Sequence, residues 1–334
     1  MRKIRIAQIG ANQRSHSCAV LASLRKQSDL FEVVGYALPE NEQERIPYKM
    51  GGYEGLREMT VEEILSDPTI EAVAVETDEI HLTKYAQMVA ESGKHLHMEK
   101  PGGTSLPDFE RLIDTVREKG IVFHTGYMYR YNPYIQELLE QVKNGELGEI
   151  YSVEAQMNCY NAVPDRQWYD HLPGGMNFFL GCHLVDLVLQ IQGIPDRILP
   201  LNTSSNWEGI TAPDSGMAVF QYPHGTSFVR TTAVERGGFA RRQLVVIGSK
   251  KTVELKPLEW YVPDGNGLLY TTRTERVTDG WHEWGTESKS EPFDRYDGMM
   301  AAFAAMVRGE KENPYTLDYE LTLYKAVLRA CGQE

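Results

Sequence analysis

The stretch Ile4-Arg-Ile-Ala-Gln-Ile-Gly10-Ala-Asn-Gln-Arg-Ser15-His-Ser-Cys-Ala-Val20 decides the fold. Aliphatic residues interrupted by single polar ones run up to Ile9, as in a buried strand, and helical periodicity follows over residues 19–25. Between them, residues 10–16 stand where a dinucleotide-binding fingerprint, G-x-G-x-x-G, places glycines for a tight turn and close approach of backbone to pyrophosphate. Gly10 keeps the first glycine. Asn12 takes the second position, where it can still adopt a positive φ, and Ser15 is a small residue at the third. An opening strand of this kind is not a secretory leader, so a cytoplasmic location is expected.

Outward from this loop, β-type runs alternate with helical patterns: residues 32–37 then 42–49, 72–76 then 82–91, 95–99 then 108–118, and finally 122–127. Such alternation predicts a doubly wound parallel sheet. Thr60-Val-Glu-Glu63 has capping-box spacing, and Gly120 and Asn144-Gly145 read as helix stops. Near Ile150 the pattern changes. Apart from a helical stretch over residues 175–193, strands predominate: 215–222, 226–234, 243–247 and 252–256, with Pro223-His-Gly225 and Gly248-Ser-Lys-Lys251 as hairpin turns. This predicts a second domain with a large, open, mostly antiparallel sheet. The expected boundaries are 1–125 and 126–334, with a C-terminal helix at 316–331 packing back on the first domain.

A chain of 334 residues suits two domains. No run approaches the ~18–20 apolar residues of a membrane span. A formal net charge of −13 argues against nucleic acid or an anionic membrane as partner, since both demand a concentrated basic face. The four cysteines, Cys18, Cys159, Cys182 and Cys331, have no metal or disulfide spacing and read as reduced packing residues. His95 and His97 alternate along one strand without a third ligand nearby, so no metal site is expected.

The segment Ala90-Glu-Ser-Gly-Lys-His-Leu-His-Met-Glu-Lys-Pro101 resembles the A-x-x-x-G-K-H-V-x-x-E-K-P signature of the glucose–fructose oxidoreductase, inositol dehydrogenase and rhizopine-catabolism (Gfo/Idh/MocA) family. Further similar segments follow in the same order: Gly126-Tyr-Met-Tyr-Arg-Tyr-Asn-Pro133, Gly145-Glu-Leu-Gly-Glu-Ile150, Gly174-Gly-Met-Asn-Phe-Phe-Leu-Gly-Cys-His183 with Asp186, and Val246-Ile-Gly-Ser-Lys-Lys-Thr-Val-Glu254. The resemblance implies an N-terminal Rossmann domain, a C-terminal α/β domain, and homodimers or homotetramers assembled through the C-terminal sheet. It also implies hydride transfer between a nicotinamide cofactor and a hydroxyl of a sugar, polyol, inositol or glycoside.

Lys100, before a proline at a strand's carboxyl end, sits where open α/β sheets bind ligands, and its ammonium can hydrogen-bond a substrate hydroxyl and a ribose. The resemblance places the catalytic pair at Lys100 and His183, with Glu99, Pro101, Thr77 and His81 lining the cofactor. It also implies that the peptide bond before Pro101 is cis. An acid should close the second strand to hold the ribose hydroxyls; Leu38 occupies that position and Glu40 follows two residues later as the candidate. With no basic residue beside Leu38, NAD is favoured over NADP. Glu76, Asp78 and Glu79 enter a loop that in the family lies against the nicotinamide. On a helix, His183, Asp186 and Gln190 form a polar stripe facing the site or water, with Asp186 placed to fix the His183 tautomer. The family's aspartate four residues before this histidine is replaced by Phe179, with Asn177 and Tyr129 as polar substitutes. Tyr129, Trp168, Asn177, Phe179 and Asp186 form the candidate substrate wall. Two other readings stay open: a binding or regulatory protein that keeps the fold without turnover, and an enzyme that cleaves glycosides through transient oxidation.

Overall fold

Ala72-Val-Ala-Val75 is buried at every position, the pattern of a parallel strand covered on both faces. It belongs to the first of two compact units into which the computed structural model divides; residues 2–263 and 265–333 are described. Unit 1 comprises Met1–Met128 and Tyr296–Tyr324, and unit 2 comprises Tyr129–Arg295 and Lys325–Glu334.

Unit 1 runs β1 (Ile4–Ile9), α1 (Ser17–Lys26), β2 (Phe31–Ala37), α2 (Val61–Ser66), β3 (Ala72–Val75), α3 (Glu79–Glu91), β4 (His95–Met98), α4 (Leu106–Lys119) and β5 (Phe123–Thr125). The five strands are parallel in the order β2-β1-β3-β4-β5. Strand order reverses between β1 and β3, so the crevice for a ligand opens beyond the carboxyl ends of those two strands. Thr60 caps α2 with both capping-box bonds made, and Gly120 ends α4 at φ 63°. The helix expected over residues 42–49 is instead two short 3₁₀ segments, Glu42–Glu44 and Pro47–Tyr53. Pro47 explains the break: it has no N–H to donate and disfavours helical geometry at Ile46.

Unit 2 contains α5 (Pro133–Lys143), β6 (Ile150–Asn158), α6 (Val163–Trp168), α7 (Cys182–Gln192), β7 (Arg197–Thr203), β8 (Ser215–Tyr222), β9 (Gly225–Thr232), β10 (Gln243–Gly248), β11 (Thr252–Leu255), β12 (Trp260–Tyr261), β13 (Leu269–Tyr270), β14 (Thr272–Arg276) and β15 (Thr286–Lys289). Its eight-stranded sheet has the order β15-β14-β11-β10-β6-β9-β8-β7. Every pairing is antiparallel except β6 with β9. Both expected hairpins form, Tyr222 pairing with Gly225 and Ile247 with Thr252. The inward residues Val153, Ala155 and Met157 of β6 are fully buried, and α7 packs over that strand. The opposite face carries half-exposed Leu199, Met217, Val219, Phe228, Val245 and Ile247. Two more helices, α8 (Asp297–Val307) and α9 (Leu317–Ala330), close the chain. Within unit 1, Asp297 of α8 accepts from Ser23 of α1 at 2.7 Å, and the Tyr324 hydroxyl of α9 donates to the Gly103 carbonyl at 2.9 Å. No described helix is long and apolar enough to cross a membrane.

Candidate active site

The loop after β1 keeps one glycine for a stated reason. Gly10 has φ +82°, and a Cβ there would lie 2.1 Å from Thr77 Cγ2 and 2.9 Å from the Thr77 backbone. Thr77 thus closes over the loop, and its buried hydroxyl has no hydrogen-bond partner. Asn12 does not take up the positive φ open to it: among the described residues, the non-glycine ones found there are Asn41, Asn206, Glu208 and Asn266. Asn12 is instead buried and works through its side chain. Its Oδ1 accepts from the N–H of Arg14 (2.8 Å) and of Ser15 (3.3 Å), and its Nδ2 donates to Glu79 Oε2 at 3.0 Å. A side-chain turn thereby replaces the conformational freedom of a glycine. The carbonyls on the loop's other side are held too, Gly10's by Gln8 Nε2 at 3.0 Å and those of residues 12, 13 and 15 by Lys49.

Glu40 is drawn to α3, where its Oε1 accepts from the Tyr85 hydroxyl at 2.6 Å and Lys84 Nζ at 3.0 Å, with His81 Nδ1 3.7 Å away. The Tyr85 hydrogen bond holds its carboxyl below the usual range. Leu38 packs at the edge of the apolar cluster of Leu21, Tyr36, Ile46 and Tyr53.

Lys100 follows β4, and the bond to Pro101 is cis. Its ammonium is nearly fully buried, 3.6 Å from Glu99 Oε1 and 3.9 Å from Glu79 Oε1. Glu76, at the end of β3, is fully buried, with its Oε1 3.4 Å from His97 Nε2. Burial, partly offset by Lys100, pushes the carboxyls of Glu79 and Glu99 up to about 7 and that of Glu76 up to about 8. Burial pushes His97 down to about 4, and its Nδ1 meets His124 Nδ1 at 2.8 Å. His95 is used differently, its Nδ1 accepting the Val122 N–H at 3.0 Å. A lysine is therefore held among three carboxyl groups that change charge near neutral pH. The carboxylates of this loop, Glu76 and Glu79, are recognisable in the sequence as departures from the family pattern; their convergence on Lys100 is visible only once β3 and β4 pair.

In unit 2, residues 177–181 form one wide helical turn, Asn177–Gly181, that runs into α7. The stripe of His183 and Asp186 is buried, not turned to water. Asp186 takes a paired contact from Arg130, Nε at 3.0 Å and Nη2 at 2.9 Å, plus Gln190 Nε2 at 2.8 Å. Its charge is thus committed to Arg130, a partner that spacing along α7 cannot reveal, because 56 residues separate them. Tyr129 stands edge-on to the His183 ring at 5.4 Å and donates its hydroxyl to Glu259 at 2.7 Å. Asn177 Nδ2 donates to the Ala330 carbonyl at 3.0 Å. Phe179 packs against Trp168 and Tyr169, ring centres 5.5 and 5.8 Å apart, supplying shape where an acid would supply charge. Arg166 is buried against Asp214 and Glu208.

A Rossmann sheet with a loop at its switch point and a buried lysine after β4 is a frame suited to a dinucleotide. Residues 4–127 match the oxidoreductase family with an NAD-binding Rossmann fold, and residues 135–254 match the Gfo/Idh/MocA C-terminal domain. Together these cover more than half of the chain, which belongs to the Gfo/Idh/MocA family and is an oxidoreductase. Similar curated proteins include an uncharacterized oxidoreductase of Rhizobium meliloti, 24% identical over 80% of this chain and 78% of that one. The D-glucoside 3-dehydrogenase of Escherichia coli is 25% identical over 65% of this chain and 69% of its own. Two further curated relatives are matched over only 40% and 39% of their own length. Among solved structures, the aldose-aldose oxidoreductase of Caulobacter crescentus shares the fold with a TM-score of 0.79, 17% identity, and coverage of 99% of this chain and 98% of that one.

Proposed function

We propose that the chain is an NAD-dependent dehydrogenase acting on a hydroxyl of a neutral sugar, polyol, inositol or glycoside, with unit 1 holding the cofactor and unit 2 the substrate. The observation that carries this reading is the buried Lys100 ammonium between Glu79 and Glu99 at the switch-point crevice. Gly10, Asn12, Ser15 and Thr77 suit the phosphate and nicotinamide side of a dinucleotide, the unpartnered Thr77 hydroxyl offering a polar contact. A bound nicotinamide supplies the hydride acceptor. The Lys100 ammonium passes one proton to the Glu79 or Glu99 carboxylate and takes that of the reacting hydroxyl in its place, so the proton released from the substrate ends on a carboxyl. His183 is the second proton carrier, assigned to unit 2. NAD is preferred to NADP because the chain after β2 presents Leu38 and an acidic Glu40.

A neutral substrate follows from the cations. Arg130 and Arg166 are buried against Asp186 and against Asp214 with Glu208, so neither is offered to a ligand carboxylate without breaking a buried pair. The half-exposed apolar face of the large sheet supports assembly of copies through it. The test combines calorimetric titration of NAD(H) and NADP(H) with turnover over matched panels of neutral sugars, sugar acids and sugar phosphates. Lys100→Met is expected to abolish turnover by several orders of magnitude while retaining cofactor binding. Near-normal rates in that variant, or an acid preferred about tenfold in kcat/KM (~1.4 kcal/mol) over every neutral ring, refute the reading.

A further inference from the structure

We infer that Lys49 is a positioning residue of the dinucleotide site, doing with one ammonium what two missing glycines do in the full fingerprint. The inference rests on the reading of unit 1 as the cofactor-binding unit. Lys49 lies in the 3₁₀ segment Pro47–Tyr53, 34 to 37 residues beyond the loop residues it serves, on an element whose helix the sequence pattern misassigns. Its Nζ donates to the carbonyls of Asn12 (3.4 Å), Gln13 (3.0 Å) and Ser15 (3.4 Å). Three main-chain carbonyls of one seven-residue loop therefore turn toward a single cation.

The consequence follows from peptide geometry. In a planar trans peptide the C=O and the next residue's N–H point in opposite directions. Holding the carbonyls of residues 12, 13 and 15 on the Lys49 side directs the N–H groups of residues 13, 14 and 16 to the other. Asn12 Oδ1 bonds the N–H of Arg14 and Ser15 from within the loop. The loop is thus clamped from both sides by side chains, whereas a glycine-rich loop takes its shape from backbone freedom alone. With the Arg14 and Ser15 N–H groups taken by Asn12 Oδ1, the loop offers an anion the Gln13 N–H on the side away from Lys49, and the ammonium behind it adds positive potential toward the same anion. The ligand chemistry this favours is a diphosphate joined to a nucleoside.

Calorimetry with ADP and with adenosine as probes, on the full chain, separates the phosphate contribution from that of the base. In Lys49→Met, ADP affinity is expected to fall tenfold or more while adenosine affinity stays within twofold of the wild type. Lys49→Arg, which keeps a donor and the charge, is expected to recover most of the loss. Lys49→Gln is the second reading should Lys49→Met fail to fold. Unchanged ADP affinity in a folded variant overturns the inference, and so does an equal loss for ADP and adenosine, which marks a merely structural lysine. A wild-type protein that binds neither ADP nor NAD(H) nor NADP(H) overturns the cofactor reading itself and this inference with it.

Discussion

Replacing Glu76 by glutamine is expected to stabilise the protein increasingly as pH rises. Glu76 is fully buried, neither carboxyl oxygen has a hydrogen-bond partner, and burial carries its carboxyl from 4.5 to about 8. Between those two values the native state keeps a proton that the unfolded chain has released. The stability from this proton is fully present below about 4.5 and is lost as pH rises through about 8. Each pH unit within that interval removes about 1.4 kcal/mol. Glutamine has the same shape and no charge to desolvate, so the variant escapes the loss. His97 runs the other way: its stability is present above its ordinary value of 6.5 and lost as pH falls through about 4. Working above pH 6.5 therefore isolates the carboxylates. Chemical unfolding of wild type and Glu76→Gln should show a stability gap that widens by about 2 kcal/mol between pH 6.5 and pH 9, with Glu79 and Glu99 titrating in both proteins. Parallel stability curves over that range would refute the reasoning.

Arg130→Met leaves Asp186 as an uncompensated buried charge and is expected to cost about 3–5 kcal/mol in urea unfolding. The double variant Arg130→Met/Asp186→Leu should recover much of that loss, whereas equal costs for the single and double variants would count against the pairing. Gly10→Ala meets both an unfavourable φ and the Thr77 backbone, so a loss above ~1 kcal/mol is expected; Thr77→Ala should relieve only part of it, because backbone atoms remain at 2.9 Å. Thr60→Ala removes the α2 capping box and should lower stability by about 1 kcal/mol, read as a drop in urea midpoint.

The parts of the fold that local pattern dictates were readable: β8 alternates inward and outward along Ser215–Tyr222, and Gly120 ends its helix by conformation alone. β6 alternates as well, Val153, Ala155 and Met157 against Ser152, Glu154 and Gln156, but local pattern does not report its parallel pairing to β9, which joins residues some 74 apart. The start of α5 is written locally too, Asn132 capping the N–H groups of Tyr134 and Ile135 with Pro133 at the first helical position. At the site, Lys100 stood out through its signature, whereas the roles of Asn12, Lys49 and Arg130 depend on partners set by tertiary structure. Sequence spacing put Asp186 beside His183; the structure shows the longer-range contact with Arg130 that spacing cannot report.

The division of the chain into interleaved units bears on how it is made. Unit 1 needs residues 296–324 and unit 2 needs residues 325–334, so each waits for a segment made long after its first one. At roughly 5–20 residues per second, the first 128 residues wait on the order of ten to thirty seconds for α8 to emerge. During that interval α1 lacks the Asp297 contact to Ser23, and the apolar surface that α8 covers stays exposed. A circular permutant that begins at residue 296, and so carries residues 296–334 ahead of residue 1, should shorten that exposure and lower aggregation during expression.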